Sequence, residues 1–309
     1  MVRSETLILG AIGLLVGCTR PVKDAPLDVV GTTQGLVEPA DLKGWIDAGT
    51  PVFAIDVRPV ASYKQGHIPG AVQLWRDAFT RTDLPFSGMA TSREHMRHLL
   101  DSLGLRPEQH VVVYDDRGGC DAARVWWLLK VYGHTEVSLL NGGIPHWRSI
   151  GYPVALEWVG TTPSGYRFPD PVDSSLVATL DDVKGRHGIL LDTRSLSEHS
   201  GSEMKQGAFR AGSIPGSILF DWGHAVDFDK EQCLKDTASL RQQLEALGIH
   251  YADTVITYCH SGVRSAHTTF VLTQVFGMKN VRNYDGSWTE WSYHTELPIE
   301  RDSSIALDH

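Results

Sequence analysis

The chain has 309 residues, 42% hydrophobic and 21% charged, the balance of an ordinary globular protein with room for two domains of about 150 residues each. Its net charge of −9 argues against the basic face that a nucleic-acid or anionic-membrane surface requires. Four cysteines in this length do not make a disulfide framework, so each needs its own explanation.

The first predicted element is an export signal. Met1 to Gly17 carries Arg3 and then the apolar run from Leu7 to Val16, too short for the about 20 residues that span a bilayer. It ends in Leu15-Val16-Gly17-Cys18, which resembles the bacterial lipobox, whose cysteine is lipidated and becomes the mature N-terminus. Residues 1–18 are therefore expected to be a lipoprotein-type signal with Cys18 as the lipidation site. The protein would be exported and held to a membrane by that anchor alone, facing the periplasm or the cell surface. A plain secretory signal or an uncleaved anchor is the alternative. Thr19 to about Leu36, polar and rich in Pro, Gly and Thr, reads as a tether.

Beyond it, short apolar runs alternate with helical patterns. Val52 to Ile55 reads as a strand, and Ser92 to Leu103 as a helix with Thr91 and Glu94 as a capping box and Gly104 as the stop. Val111 to Tyr114 is the next strand. Residues 151–171, with four prolines and three glycines, form a linker. Strands then recur at Ile189 to Leu191 and Thr254 to Tyr258, with a helix from Thr237 to Leu247 between them. The alternation predicts an α/β fold with mainly parallel sheets and crossover helices, in two domains spanning residues 37–150 and 172–300.

Those domains are copies of each other. A shift of 144 positions lays Val112-Val113-Tyr114 on Ile256-Thr257-Tyr258, Gly118 on Gly262, Gly133 on Gly277 and Trp147 on Trp291. With gaps, Ile55-Asp56-Val57-Arg58 falls on Leu191-Asp192-Thr193-Arg194, and Ile68-Pro69-Gly70 on Ile214-Pro215-Gly216. So many matched glycines, tryptophans and strand ends make a duplication.

The chemistry concentrates at Cys259, which stands where a strand gives way to His260-Ser261-Gly262-Val263-Arg264-Ser265 and a helix. Ligands of open α/β sheets bind beyond the carboxyl ends of strands. A loop of this kind can turn several N–H groups toward the sulfur, the helix adds its positive end, and Arg264 adds a cation. All three favour a thiolate below the ordinary thiol pKa of about 8.5.

Together, Asp-x-Arg after a strand, Gly66-His67-Ile68-Pro69-Gly70-Ala71, the Cys-x-x-Gly-x-Arg-Ser loop and the tail Val281 to Trp288 resemble a tandem-domain rhodanese. The resemblance covers about Leu36 to Leu297. It implies two rhodanese-like domains, the second catalytic. In it Cys259 takes a sulfane sulfur from a small-molecule donor, holds it as a persulfide and passes it to a thiophilic acceptor such as cyanide. It further implies donor contacts from Arg194, His260, Ser261, Gly262, Val263, Arg264 and Ser265. No cofactor, metal or nucleic-acid partner is implied.

Asp115 stands where Cys259 would, so the first copy cannot carry sulfur and is expected to wall the cleft. An ion pair with Asp192 is the structural alternative for Arg194. Trp147, Trp288 and Trp291 are expected in the core, and Cys120 and Cys233 as free thiols, with a disulfide as the alternative that export would allow. The Arg264 charge favours thiosulfate, a dianion, over mercaptopyruvate, although Ser261-Gly262-Val263 resembles mercaptopyruvate-using loops. Two other classes stay open: a cysteine phosphatase, whose loop is one residue longer, and a sulfur carrier that serves only a docked partner.

Overall fold

A computed structural model describes residues 35–302 of the chain. The first half runs β1 (Leu36–Val37), α1 (Pro39–Asp47), β2 (Val52–Asp56), α2 (Val60–Lys64), β3 (Val72–Gln73), α3 (Arg93–Ser102), β4 (His110–Tyr114), α4 (Cys120–Tyr132), β5 (Val137–Leu140) and α5 (Gly143–Ser149). The second runs β6 (Val177–Ala178), α6 (Leu180–Lys184), β7 (Ile189–Asp192), α7 (Leu196–Ser200) and β8 (Ile218–Leu219). A short hairpin, β9 (Val226–Asp227) and β10 (Cys233–Leu234), is added here. The series then resumes with α8 (Thr237–Ala246), β11 (Val255–Tyr258), α9 (Val263–Phe270), β12 (Val281–Tyr284) and α10 (Ser287–Tyr293).

Each half closes on its own five-stranded parallel sheet. The order β1-β5-β4-β2-β3 recurs as β6-β12-β11-β7-β8, so the sequence repeat is also a repeat of topology. Strands β4 and β11 lie at the middle of their sheets with helices on both faces. They are therefore buried without alternation: Val111 to Tyr114 and Val255 to Tyr258 are fully buried, with Thr257 the one polar residue, its hydroxyl bonded to that of Thr269.

The halves meet through α4 and α9. Helix α4 is buried nearly all round, as a helix between two sheets must be, and Trp126 sets its edge against Phe270 at 5.1 Å between ring centres. One apolar cluster consequently runs through both halves. Trp147, Trp288 and Trp291 lie in the core as expected.

The start of α3 differs from the sequence expectation. Ser92, not Thr91, is the cap, its Oγ accepting the His95 N–H at 3.2 Å. Thr91 is committed elsewhere: its N–H donates to the Phe79 carbonyl at 2.9 Å and its carbonyl accepts the Tyr132 hydroxyl. Glu94 turns to Arg97 instead of reaching back to the cap. In the second half Asp236 caps α8.

Candidate active site

Strand β11 delivers Cys259, 1% exposed, to the carboxyl edge of its sheet. Ser287 shapes the loop that follows. Its Oγ accepts the N–H groups of Cys259 at 3.1 Å and Gly262 at 3.0 Å while its hydroxyl donates to the Tyr284 carbonyl at 2.7 Å. Ser287 holds φ at 50°, a left-handed conformation that costs a side-chain-bearing residue about 1–2 kcal/mol. Such strain persists where surroundings over-determine it. The Trp288 and Thr289 N–H groups tie down the carbonyls of Cys259 and His260, both at 3.0 Å. Asn283 Nδ2 holds the Gly262 carbonyl at 3.1 Å. A Cβ at Gly262 would fall 2.8 Å from the Asp285 carbonyl, so only glycine passes there.

This cup favours an anion. Burial alone pushes the Cys259 thiol up, but the Arg264 charge, the Ser265 hydroxyl and the N–H groups of Ser265 and Ser261 outweigh it, so the thiol sits below its ordinary range. Ser265 Oγ lies 3.5 Å from the sulfur and 2.6 Å from Asn283 Oδ1, the two acceptors between which its one proton chooses. Arg264 is itself held by Glu198 in a two-pronged pair at 2.6 and 2.8 Å. Burial raises Glu198, yet that pairing wins and holds it at about 2.

The first copy displays the same cup already filled. Asp115 accepts N–H groups from Arg117 and Gly119 on Oδ1 and from Ala122 on Oδ2, each at 2.9 Å. A carboxylate there replaces the sulfur and occupies its donors.

A cavity of about 350 Å³ opens on the loop that follows Cys259. Arg76, Asp77 and Gly88 of the first half face Lys205, His260, Ser261 and Val263 of the second. The first half therefore supplies one wall. The segment before α3 is clamped over the loop by three contacts: Arg124 Nη2 on the Gly88 carbonyl at 3.1 Å, the Ala90 N–H on Asp285 at 3.0 Å, and Thr289 Oγ1 on the Ser87 carbonyl at 2.8 Å. Arg124 also donates to the Gly262 carbonyl at 3.2 Å and pairs with Asp285. At Gly88, φ is +102° and a Cβ would stand 2.3 Å from that of Ser261. Gly88→Ala should press on the loop and lower kcat/KM about tenfold or more, equivalent to about 1.4 kcal/mol. Steady-state kinetics beside a melting curve checks this, and unchanged kcat/KM would mean that the segment does not control the loop.

His260, Ser261 and Val263 thus line the mouth, whereas Gly262 and Ser265 act from within the loop. His260 is lodged rather than free in solvent: Nε2 meets the Gln206 carbonyl at 3.0 Å, and burial lowers it to about 4, so it is neutral at pH 7. Arg194 is corrected. It is 1% exposed, with Nε on Asp192 at 2.9 Å and Nη2 on Asp192 at 2.6 Å and on the Gly212 carbonyl at 2.9 Å. Its guanidinium lies over the Trp288 and Tyr258 rings, and Arg58 makes the matching pair with Asp56 in the first half. It is a frame residue, and the cations at the mouth are Arg76 and Lys205, which sequence reasoning missed. Cys120 and Cys233 are free thiols, as expected.

The fold is a duplicated parallel α/β unit with a lowered-pKa cysteine at a strand end, beside a cavity that both halves line. The sequence matches the rhodanese-like domain over residues 38–150 and again over 175–294; the chain belongs to the rhodanese family and is a sulfurtransferase. It is 34% identical over 269 residues to the thiosulfate sulfurtransferase of Pseudomonas aeruginosa, covering 86% of this chain and 96% of that one. It is 36% identical over 269 residues to the sulfur carrier protein TtuD of Thermus thermophilus, covering 82% and 92%. Among solved structures, the anaerobic ergothioneine biosynthesis enzyme of Chlorobium limicola shares the fold, with a TM-score of 0.79 at 23% identity over 86% of this chain and 70% of that one.

Proposed function

We propose that the chain moves the outer sulfur of thiosulfate to cyanide or another thiophilic acceptor through a persulfide on Cys259. The thiolate attacks the sulfane sulfur, the S–S bond of thiosulfate breaks and sulfite leaves with its electron pair. The acceptor then attacks the outer persulfide sulfur and frees the thiolate. The observation that carries this is the Cys259 sulfur, buried in a cup of donors whose loop lines a mouth that holds Arg76 and Lys205. A buried persulfide keeps water out, and the cup that lowers the thiol also stabilises the thiolate as leaving group.

The choice of donor rests on the mouth. Arg264 is engaged by Glu198, so its charge is not available to tell one donor from another. Lys205 faces the entering anion, with Arg76, more loosely paired to Asp121 at 3.4 Å, beside it, and two charges on thiosulfate draw more on them than one on mercaptopyruvate. Relatives named thiosulfate sulfurtransferase support the same donor. The test is kcat/KM for both donors with cyanide and no partner protein. Thiosulfate should be the better donor, and Lys205→Ala should raise its KM more than that of mercaptopyruvate. A preference for mercaptopyruvate would overturn the assignment. Persulfide formation without turnover by cyanide would favour a sulfur carrier, the reading that the likeness to TtuD supports.

The lipidation of Cys18 lies outside the described residues and stays a proposal from sequence, as do export and membrane anchoring. Cys18→Ser should release the protein from the membrane fraction or block its processing. A Cys18→Ser protein that stays membrane-bound at unchanged mass would contradict it.

A further inference from the structure

Two buried side chains beside the Cys259 loop differ in kind between the copies. Asn283 on β12 and Ser265 on α9 are both fully buried. The shift of 144 positions puts Leu139 and Asp121 in their places in the copy that has Asp115. Leu139 packs there in the apolar cluster. An apolar side chain thus satisfies the fold at that position of the sheet. Burying an amide costs free energy unless its groups are bonded, so Asn283 needs a reason of its own.

Its bonds give one. Asn283 Nδ2 faces the Gly262 carbonyl at 3.1 Å, and a carbonyl only accepts, so Oδ1 is the end turned to Ser265. Ser265 Oγ stands 2.6 Å from that oxygen and 3.5 Å from the Cys259 sulfur, with one proton to give. The charge on the sulfur decides between the two acceptors. A thiolate takes a charge-assisted bond, roughly twice as strong as a neutral one, whereas a sulfur bonded to a second sulfur is neutral and accepts weakly. The hydroxyl therefore belongs to Asn283 in the persulfide and to the sulfur in the thiolate.

We propose that Asn283 is a positioning residue for sulfur transfer: it takes the Ser265 hydroxyl while Cys259 carries the outer sulfur and gives it up as the S–S bond breaks. The inference rests on the persulfide reading above. When the acceptor attacks the outer sulfur, the S–S electron pair returns to the Cys259 sulfur and the hydroxyl swings onto it. Only a hydrogen bond changes partner, and the O–H bond stays intact. In loading, the thiolate sheds that bond as it attacks the donor. By drawing the hydroxyl away, Asn283 keeps the thiolate reactive toward the donor and slows discharge. The charged or titratable groups that face the sulfur are Arg264 of α9, backed by Glu198 of α7, and the Cys120 thiol at the start of α4, kept neutral by burial. Asn283 bonds to none of them. Arg124 Nη1 also holds the Gly262 carbonyl, at 3.2 Å, so the loop stays anchored without Asn283.

Asn283→Leu, the side chain of the other copy, leaves the Ser265 hydroxyl to the sulfur throughout. The pH profile of Cys259 alkylation by iodoacetamide should move downward by about one unit, the counterpart of an about tenfold stronger hold on the thiolate. At a pH above every profile, single-turnover loading by thiosulfate, read as sulfite release, should slow about threefold, and discharge to cyanide should quicken by a similar factor. Ser265→Ala should do the reverse in all three, and the double variant should match Ser265→Ala. Where the leucine protein does not fold, the smaller Asn283→Val has to give the same signs. A loop that is merely slackened would slow both half-reactions. That result, an unmoved alkylation profile in Asn283→Leu, or a double variant unlike Ser265→Ala would overturn the proposal. Absence of sulfite release from the unaltered protein would instead overturn the persulfide reading, and the alkylation profile, which needs no persulfide, still decides the role of Asn283.

Discussion

Cys259→Ser should bring cyanide-dependent sulfur release down to the buffer background while the melting temperature stays close to that of the unaltered protein. Serine fits the volume, so the cup survives, but its oxygen does not form the persulfide that the cycle needs. The matched change in the first copy should do little to the rate, because Asp115 only fills a cup that carries no sulfur. Asp115→Ala leaves the N–H groups of Arg117, Gly119 and Ala122 without their acceptor and so costs stability, about 1–3 kcal/mol. Full activity in the Cys259→Ser protein would end the proposal. So would loss of activity in Asp115→Ala at a temperature where it is folded.

The second large effect belongs to Arg264→Thr. Its guanidinium balances Glu198, a side chain 5% exposed, and helps hold Cys259 as thiolate. Removing it leaves the Glu198 carboxylate without its hydrogen-bonded partner, with only the more distant charges of Lys205 and Arg194 against it. Stability should fall by about 2–3 kcal/mol, below the usual loss for a fully buried pair because Arg264 keeps some contact with solvent. The sign of the pH effect follows from the lowered thiol. In the unaltered protein the thiolate persists to pH values below the ordinary thiol range, and reactivity is lost as pH falls through that depressed pKa. Without Arg264 and with Glu198 charged, the thiol rises and the same loss begins at higher pH. The rate of alkylation of Cys259 by iodoacetamide against pH should therefore shift upward, and kcat/KM with thiosulfate should drop about a hundredfold. Adding Glu198→Gln should restore stability but not the low thiol pKa. An unmoved alkylation profile in Arg264→Thr would show that the cup alone sets the thiolate. Both donors should lose about equally, since the charge removed acts on the sulfur and not at the mouth.

What the sequence made legible is local or repeated. Strands β4 and β11 announce themselves because burial on both faces demands an unbroken apolar run, and the duplication is visible because both copies keep the same turns. Cys259 stood out because its copy is an acid. The mouth was not legible, because it is built from pieces far apart in the chain: Gly88 comes to Ser261 and Arg124 to Gly262 only when the two sheets pack. Periodicity reports nothing about such contacts.

Two hints were present in the repeat and went unread. Ser287 falls on Gly143, and both carry positive φ, at 50° and 55°. A serine where the other copy needs glycine marks a side chain worth its strain, here the acceptor that shapes the loop. Arg264 and Glu198 fall on Cys120 and Ser62. Both members of the pair occur in the copy that has Cys259 and neither in the copy that has Asp115. Arg194 misled for the opposite reason: its counterpart Arg58, with the same partner beside a cup without sulfur, already pointed to the frame.

The central claim is that Cys259 carries the sulfur. Intact mass after incubation with thiosulfate, followed by removal of the donor, tests it most directly. The unaltered protein should gain the mass of one sulfur atom, lose it on addition of cyanide, and yield a peptide map that places the sulfur on the peptide containing Cys259. A gain that persists in Cys259→Ser, or one that maps to Cys120 or Cys233, would contradict it.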